Sequence, residues 1–254
     1  MKYEKYLTFD DPIPYKNFLI NPAKMRDYYS FHEYITCLLL DKNSVPDINV
    51  ISMSYLEYLL AVGFIERHLH VMLISLMKMV VTIKKDGKII EVNEDEIEIA
   101  KDGRSIIVSG EKITSEDFDE IKKIILLQNE IDPVDENTAK EVREKLQEAE
   151  EYKLKKNGKK VCDLEDRLVA ISTVTGFTIE YLYGLTIRKF NKYLQREDHI
   201  MHYKIFMIGK MSGNVEFKDE NALKHWLADL TVKDKYKDSK FDYDEAQDKF
   251  GRKN

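Results

Sequence analysis

The sequence predicts an α+β protein, predominantly α-helical, with a small inserted antiparallel β-meander. Three observations carry this. Apolar residues recur at three- and four-residue steps through most of the chain, the signature of amphipathic helix. Between residues 80 and 108 the period drops to two, around Asp86-Gly87 and Asp102-Gly103, and Asp-Gly between β-branched runs is a strong hairpin cue. Finally, several of the 10 glycines and 5 prolines fall between periodic segments, where they act as punctuation.

Taken in order, the opening segment holds Pro12, Pro14 and Pro22 around Tyr15–Ile20. Proline fixes φ and lacks an N–H, so this stretch reads as extended edge structure with a turn at Lys16-Asn17. From Ala23 the residues Met25, Tyr28, Tyr29, His32, Ile35, Thr36 and Leu39 mark an amphipathic helix reaching about Leu40. A second helix spans Ser54–Leu60, with Ser52 or Ser54 as its N-cap, and Gly63 is placed to divide it from the apolar run Phe64–Val80. Val71–Val81 is interrupted by Lys78 and is shorter than the roughly 20 residues needed to cross a bilayer, so it reads as a buried helix running into a strand.

Two hairpins follow, Val80–Lys85 with Lys88–Val92 and Ile97–Ala100 with Ser105–Val108, which together predict one small sheet resting on a helix or on a partner. Thr114 or Ser115 caps the next helix, whose stripe is Phe118, Ile121, Ile124, Ile125 and Gln128. Pro133 ends it. Residues 136–156 suit a solvent-exposed helix laced with i,i+4 charge pairs such as Glu141 with Lys145. Leu164, Leu168, Ile171 and Val174 form one face of a helix stopped by Gly176; Thr178 opens a short helix, and Thr186 opens a long one reaching about Met211. A last helix carries Leu223, Trp226, Leu227 and Leu230, and Thr231–Asn254 reads as a mobile polyampholyte tail. The organisation is thus 1–79 extended segment plus helices, 80–110 β insertion, 111–230 C-terminal helical domain and 231–254 charged tail.

Composition limits the chemistry. With 46 acidic and 40 basic side chains in 254 residues the net charge is −6 and the pI about 5.7, which argues against a protein that coats nucleic acid. No phosphate-binding glycine motif and no Gly-x-Ser-x-Gly elbow occurs. His199-x-x-His202 and His68-x-His70 lack the further ligands that a zinc site needs, so neither metal nor cofactor is expected. Cys37 and Cys162 read as reduced thiols in apolar helices, and the N-terminus lacks the apolar core of a signal peptide, which together predict a cytoplasmic, non-enzymatic protein. The tyrosine and phenylalanine stripe of the C-terminal domain reads as core or as protein interface, and Tyr181, Tyr183, Phe190, Tyr193 and Trp226 are the candidate partner-binding residues. An alternative from another class uses residues 163–196 as a DNA-binding helix-turn-helix. It draws on a local excess of six basic over three acidic residues in 176–214, including Arg188 and Lys192, but its helices offer little Arg, Asn or Gln to read base edges.

Two stretches carry a resemblance. Leu7–Tyr15, Tyr28–Phe31, Leu38–Asp47 and Ile51–Leu56 resemble structural-module proteins of tailed bacteriophages and of prophages of low-GC bacteria. The Leu164–Leu230 block, with Thr186–Phe190, Met211-Ser212-Gly213 and Lys224–Leu227, is similar to helical tail assembly chaperones encoded near the tape-measure gene and to baseplate-hub assembly proteins. This resemblance implies a protein of the host cytoplasm, or one associated with the virion as a structural component. Its helical apolar surfaces would hold a tape-measure or hub protein until tube or baseplate subunits replace them, and it could form a homo-oligomer. The β insertion departs from the purely helical pattern of such chaperones.

Overall fold

The computed structural model describes residues 2–42, 47–85, 87–133, 162–213, 225–228 and 230. Of these, 61% are helical and 14% lie in strands, forming two small antiparallel sheets, so the fold is α+β and mostly helical. The chain divides into two compact units, Met1–Tyr193 and Leu194–Asn254.

Within the first unit a short helix α1 (Glu4–Phe9) leads into strands β1 (Ile13–Tyr15) and β2 (Phe18–Ile20), which pair across the expected turn, with Tyr15 opposite Phe18 and Lys16 at φ +51°. Pro14 sits in the edge strand β1, where its missing N–H breaks no ladder. β3 (Val81–Lys85) pairs with β4 (Lys88–Glu91) in the predicted hairpin, with Gly87 at φ +75°. Here the structure corrects the reading of 80–108 as one sheet. β3 pairs with β2, so the order is β1-β2-β3-β4, and Phe18, Ile20, Val81 and Ile83 bury the same face. The second hairpin, β5 (Ile97–Ile99) and β6 (Ile106–Val108), belongs to a separate sheet completed by an unanticipated β7 (Glu111–Ile113). The β6–β7 loop is Ser109-Gly110, both at positive φ (46° and 85°), the backbone that a two-residue hairpin of this twist requires.

The predicted first helix breaks into 3₁₀ turns at Met25–Asp27 and Ile35–Leu39 around α2 (Tyr28–Tyr34). The buried face is therefore Met25, Phe31, Ile35, Cys37 and Leu38, while Tyr29 faces solvent. A five-residue helix α3 (Ile48–Ser52) precedes α4 (Tyr55–Ile65), capped by Ser54, whose hydroxyl accepts from the Glu57 N–H while Glu57 accepts from the Ser54 N–H. Gly63 does not divide this helix; the break comes at Glu66, before α5 (Arg67–Val80). The glycine serves packing instead, because a β-carbon there would overlap the ring of His70, whose Nε2 is 3.1 Å from the Leu60 carbonyl.

Helix α6 (Ser115–Gln128) begins with a Thr114/Asp117 capping box and buries the whole predicted stripe. At its end Gln128 donates to the Ile20 carbonyl (3.1 Å), and Asn129 accepts from the Ala23 N–H (3.1 Å), tying the helix to the N-terminal strands. Cys37 is buried and its thiol is pushed up to about 12 by burial. Cys162, expected in an apolar helix, is instead exposed, just ahead of the cap of the following helix.

That helix, α7 (Leu164–Thr175), is capped by Asp163 and stopped by Gly176 at φ +76°. α8 (Ile179–Gly184) is capped by Thr178, and α9 (Ile187–Ser212) by Thr186, whose hydroxyl accepts from the Lys189 N–H. The connection to α9 lies against the N-terminal segment: Met25 N–H donates to the Leu185 carbonyl (2.8 Å) and Ile187 N–H to the Ala23 carbonyl (3.0 Å).

In the second unit, α9 from Leu194 onward carries the short segment 225–228. Arg196 donates to the carbonyls of Trp226 (2.6 Å) and Ala228 (3.1 Å), and the His199 ring lies 2.9 Å from the His225 carbonyl. Residues 225–228 form a turn closed by Ala228 N–H on the His225 carbonyl. The solvated helix expected at 136–156, the tail 231–254 and most of the last predicted helix lie outside the described residues.

Candidate partner-binding surface

The candidate residues separate into three environments. Phe190 is 1% exposed, so it belongs to the core that seats the first turns of α9 and presents no surface. Tyr181 and Tyr193 come together through Phe177, whose ring centroid lies 4.8 Å from that of Tyr181 and 5.6 Å from that of Tyr193. Burial raises the Tyr193 pKa above its ordinary value, and the charge and hydrogen bond of Tyr181 add to it. Tyr181 keeps half of its surface open, and Tyr183 is exposed on the same short helix. Trp226 belongs to the second unit, with its indole tilted against His225 at 5.6 Å and Tyr203 packed edge-on against that imidazole at 5.7 Å.

Sequence reasoning missed Phe177, which anchors the cluster. It lies in the loop between Gly176 and the Thr178 cap, outside either helix, so helical periodicity gave no signal for it. It also missed Val169 and Val174 on α7. Val174, assigned to the inward face with Leu168 and Ile171, is exposed together with Val169. α7 and α8 therefore bury only Leu168, Ile171 and Leu182, and they turn Val169, Val174, Tyr181 and Tyr183 to solvent.

The basic residues of this region have internal work. Arg188, 18% exposed in its side chain, donates to the Leu7 carbonyl (2.5 Å) and faces Asp10 (3.8 Å) and Glu130 (3.6 Å). Lys189 reaches Asp10 (3.8 Å) and Lys192 reaches Glu130 (3.0 Å). Asp10 and Glu130 both stand at positive φ (57° and 54°), just past the ends of α1 and α6, so two helix termini supply the carboxylates that hold the start of α9. Arg188 and Lys192, the cations on which a helix-turn-helix would rely to grip phosphate, are thus committed within the fold.

Three carboxylates elsewhere among the described residues, Asp117, Glu120 and Glu57, have structural explanations. Tyr15 (2.8 Å) and Lys16 converge on the buried Asp117, which also closes the Thr114 capping box. Burial pushes the Asp117 carboxyl up, but hydrogen bonds from Lys16, Tyr15 and Thr114 outweigh it and leave the pKa below the usual value. The Tyr15 hydroxyl is pushed up to about 12 by burial and then by Asp117. Tyr3 (2.8 Å) and Lys2 (3.1 Å) hold Glu120 in the same way. An open cleft of about 580 Å³ lies between α4 and the β5–β6 turn, with Phe64, Leu60 and Ile99 on its apolar side and a Glu57–Arg104 ion pair (3.2 Å) on its polar side. Glu57 has its pKa lowered by the Ser54 N–H and hydroxyl, which fits a cap and not a general acid. Among the described residues no group of three or more His, Cys, Asp or Glu is placed to hold a metal ion, and no helix is long and apolar enough to cross a membrane.

No curated protein and no solved structure is significantly similar to the chain. One family model matches, that of the YomV second domain, over residues 154–231, which is 78 of the 254 residues and takes in α7, α8 and α9. The family is that of a Bacillus phage-associated protein, and the match supports a phage origin for this chain.

Proposed function

We propose that this chain is a non-enzymatic phage tail or baseplate assembly factor that holds a tape-measure or hub protein against the exposed apolar side chains of α7 and α8. The observation that carries the reading is the surface of the stretch matched by the phage-associated family. There Val169, Val174, Tyr181 and Tyr183 stand open while Phe177 and Tyr193 back Tyr181 from behind. Aromatic side chains with one packed edge and one free face give large contact area at low entropic cost, which is why tyrosine is enriched where proteins bind one another. Reversible capture also suits such a surface, because it releases its partner without unfolding.

Co-expression with phage tape-measure and hub proteins tests the reading. A soluble complex that survives purification and is lost in the Tyr181→Ala/Tyr183→Ala double variant is the expected result, with the variant's thermal unfolding close to that of the parent. Failure to recover a complex with any tail protein would remove the assigned role.

A further inference from the structure

The later turns of α9, in the second unit, present two opposite sides of different character. Arg196, His199 and Tyr203 lie on the side that meets residues 225–228. On the opposite side, at 100° per residue, Leu194, Met201, Ile205 and Ile208 fall in one line. Leu194 is half-buried, but Met201, Ile205 and Ile208 are 47%, 64% and 69% exposed. Leu194, Met201 and Ile208 repeat every seven residues, the spacing that keeps a seam facing a second helix. Three large aliphatic side chains in a row, each exposed among the described residues, are not what a solvated face contains.

The charges beside the seam indicate what covers it. Glu197 and Lys204 flank the line on the same edge, seven residues apart, one before and one after Met201. In an antiparallel pair of helices that edge faces its own copy. Centred on Met201, the pairing brings Leu194 of each chain against Ile208 of the other and sets Glu197 beside the second chain's Lys204, twice by symmetry. A single register thus satisfies both the apolar seam and the charges. In a parallel pair that edge would face the other edge of the second helix, and the two Glu–Lys pairs would not form. We infer that α9 docks antiparallel on a second copy of this chain through Leu194, Met201, Ile205 and Ile208, with Glu197 and Lys204 pairing across the dyad. This pairing is independent of the partner-binding role of α7 and α8.

Four side chains from each copy make a small interface, so the dimer dissociates in the micromolar range. Sedimentation of the full chain across that range is expected to show monomer passing to dimer. Glu197→Lys raises the dissociation constant by about tenfold, and Glu197→Lys combined with Lys204→Glu restores it. Cysteine crosslinking reads the register. Cys162 is exposed and is replaced by serine, whereas Cys37 is buried with its thiol pushed up to about 12 and stays inert. In that background Met201→Cys, on the dyad, forms a covalent dimer under mild oxidation, Ile208→Cys alone does not, and a mixture of Leu194→Cys and Ile208→Cys chains does. A chain that remains monomeric throughout overturns the self-pairing and leaves the seam to a foreign helix. Crosslinking by Ile208→Cys alone, as a parallel pair would give, overturns the antiparallel arrangement.

Discussion

Helices α6 and α9 start alike and end differently. Each is amphipathic and each opens on a threonine cap, yet α6 buries seven of its 14 residues, whereas α9 buries only Ile187 and Phe190 of its 26. For α6 the stripe Phe118, Ile121, Ile124 and Ile125 is covered within the chain, and its terminal Gln128 and its neighbour Asn129 are hydrogen-bonded to the strands. For α9 the first two turns are seated by Phe190 and the Arg188 ion pairs, and the last four turns carry Met201, Ile205 and Ile208 into water. The same pattern of residues thus serves cohesion in one helix, while in the other it leaves large apolar side chains exposed among the described residues. Periodicity says which side of a helix is apolar and is silent on whether the covering partner belongs to the same chain.

Variants can separate the two roles. Phe118→Ala in α6 carries the largest effect, a loss of about 3–5 kcal/mol in urea unfolding, because a fully buried ring leaves a cavity that the surrounding helices cannot close. A loss below 1 kcal/mol would mean that α6 is not the internal anchor described here. Arg188→Met comes next, at about 1–3 kcal/mol, since it removes the donor to the Leu7 carbonyl and leaves Asp10 and Glu130 facing an apolar side chain. The difference from the parent should shrink as salt is raised, and a difference unaffected by salt would assign Arg188 a packing role only. Smallest is Ile205→Asp in the open half of α9, which, measured at a concentration well below the dimer's dissociation constant, should leave the unfolding free energy within about 0.5 kcal/mol of the parent. A large loss there would show that the later turns of α9 are covered from within the chain after all.

Local chemistry was legible in the sequence. Ser54, Thr114, Thr178 and Thr186 cap helices because each hydroxyl needs only an N–H two or three residues on. The turn at Gly87 joins its two strands for a similarly local reason. The misread parts depend on distant residues. Alternation along Val81–Lys85 shows which face is buried, but nothing in it says that the neighbour of Ile83 is Phe18. The stripe over Met25–Leu39 went out of phase because 3₁₀ turns advance by three residues and not by 3.6. Of the candidate surface residues, Tyr181 and Tyr183 are exposed and Phe190 is core, because an aromatic at helical spacing looks the same on either side of a helix. The fit of Arg188 between Asp10 and Glu130 joins segments far apart in sequence, so its charge looked free.

The junction of Lys24 with Thr186 also sets a timetable. The hydrogen bonds linking Ala23 and Met25 to Leu185 and Ile187 span more than 150 residues of chain, and Arg188 reaches back 181 residues to Leu7. At about 5–20 residues per second on the ribosome, roughly 8–30 s pass between the synthesis of the first half of this seam and the arrival of the second. The N-terminal strands can pair with β3 well before that, but the unit cannot close until α9 has begun to emerge. A message truncated before residue 186 would therefore yield a chain with strands in place and an open flank, which makes the start of α9 the clasp that ends assembly of the unit during translation.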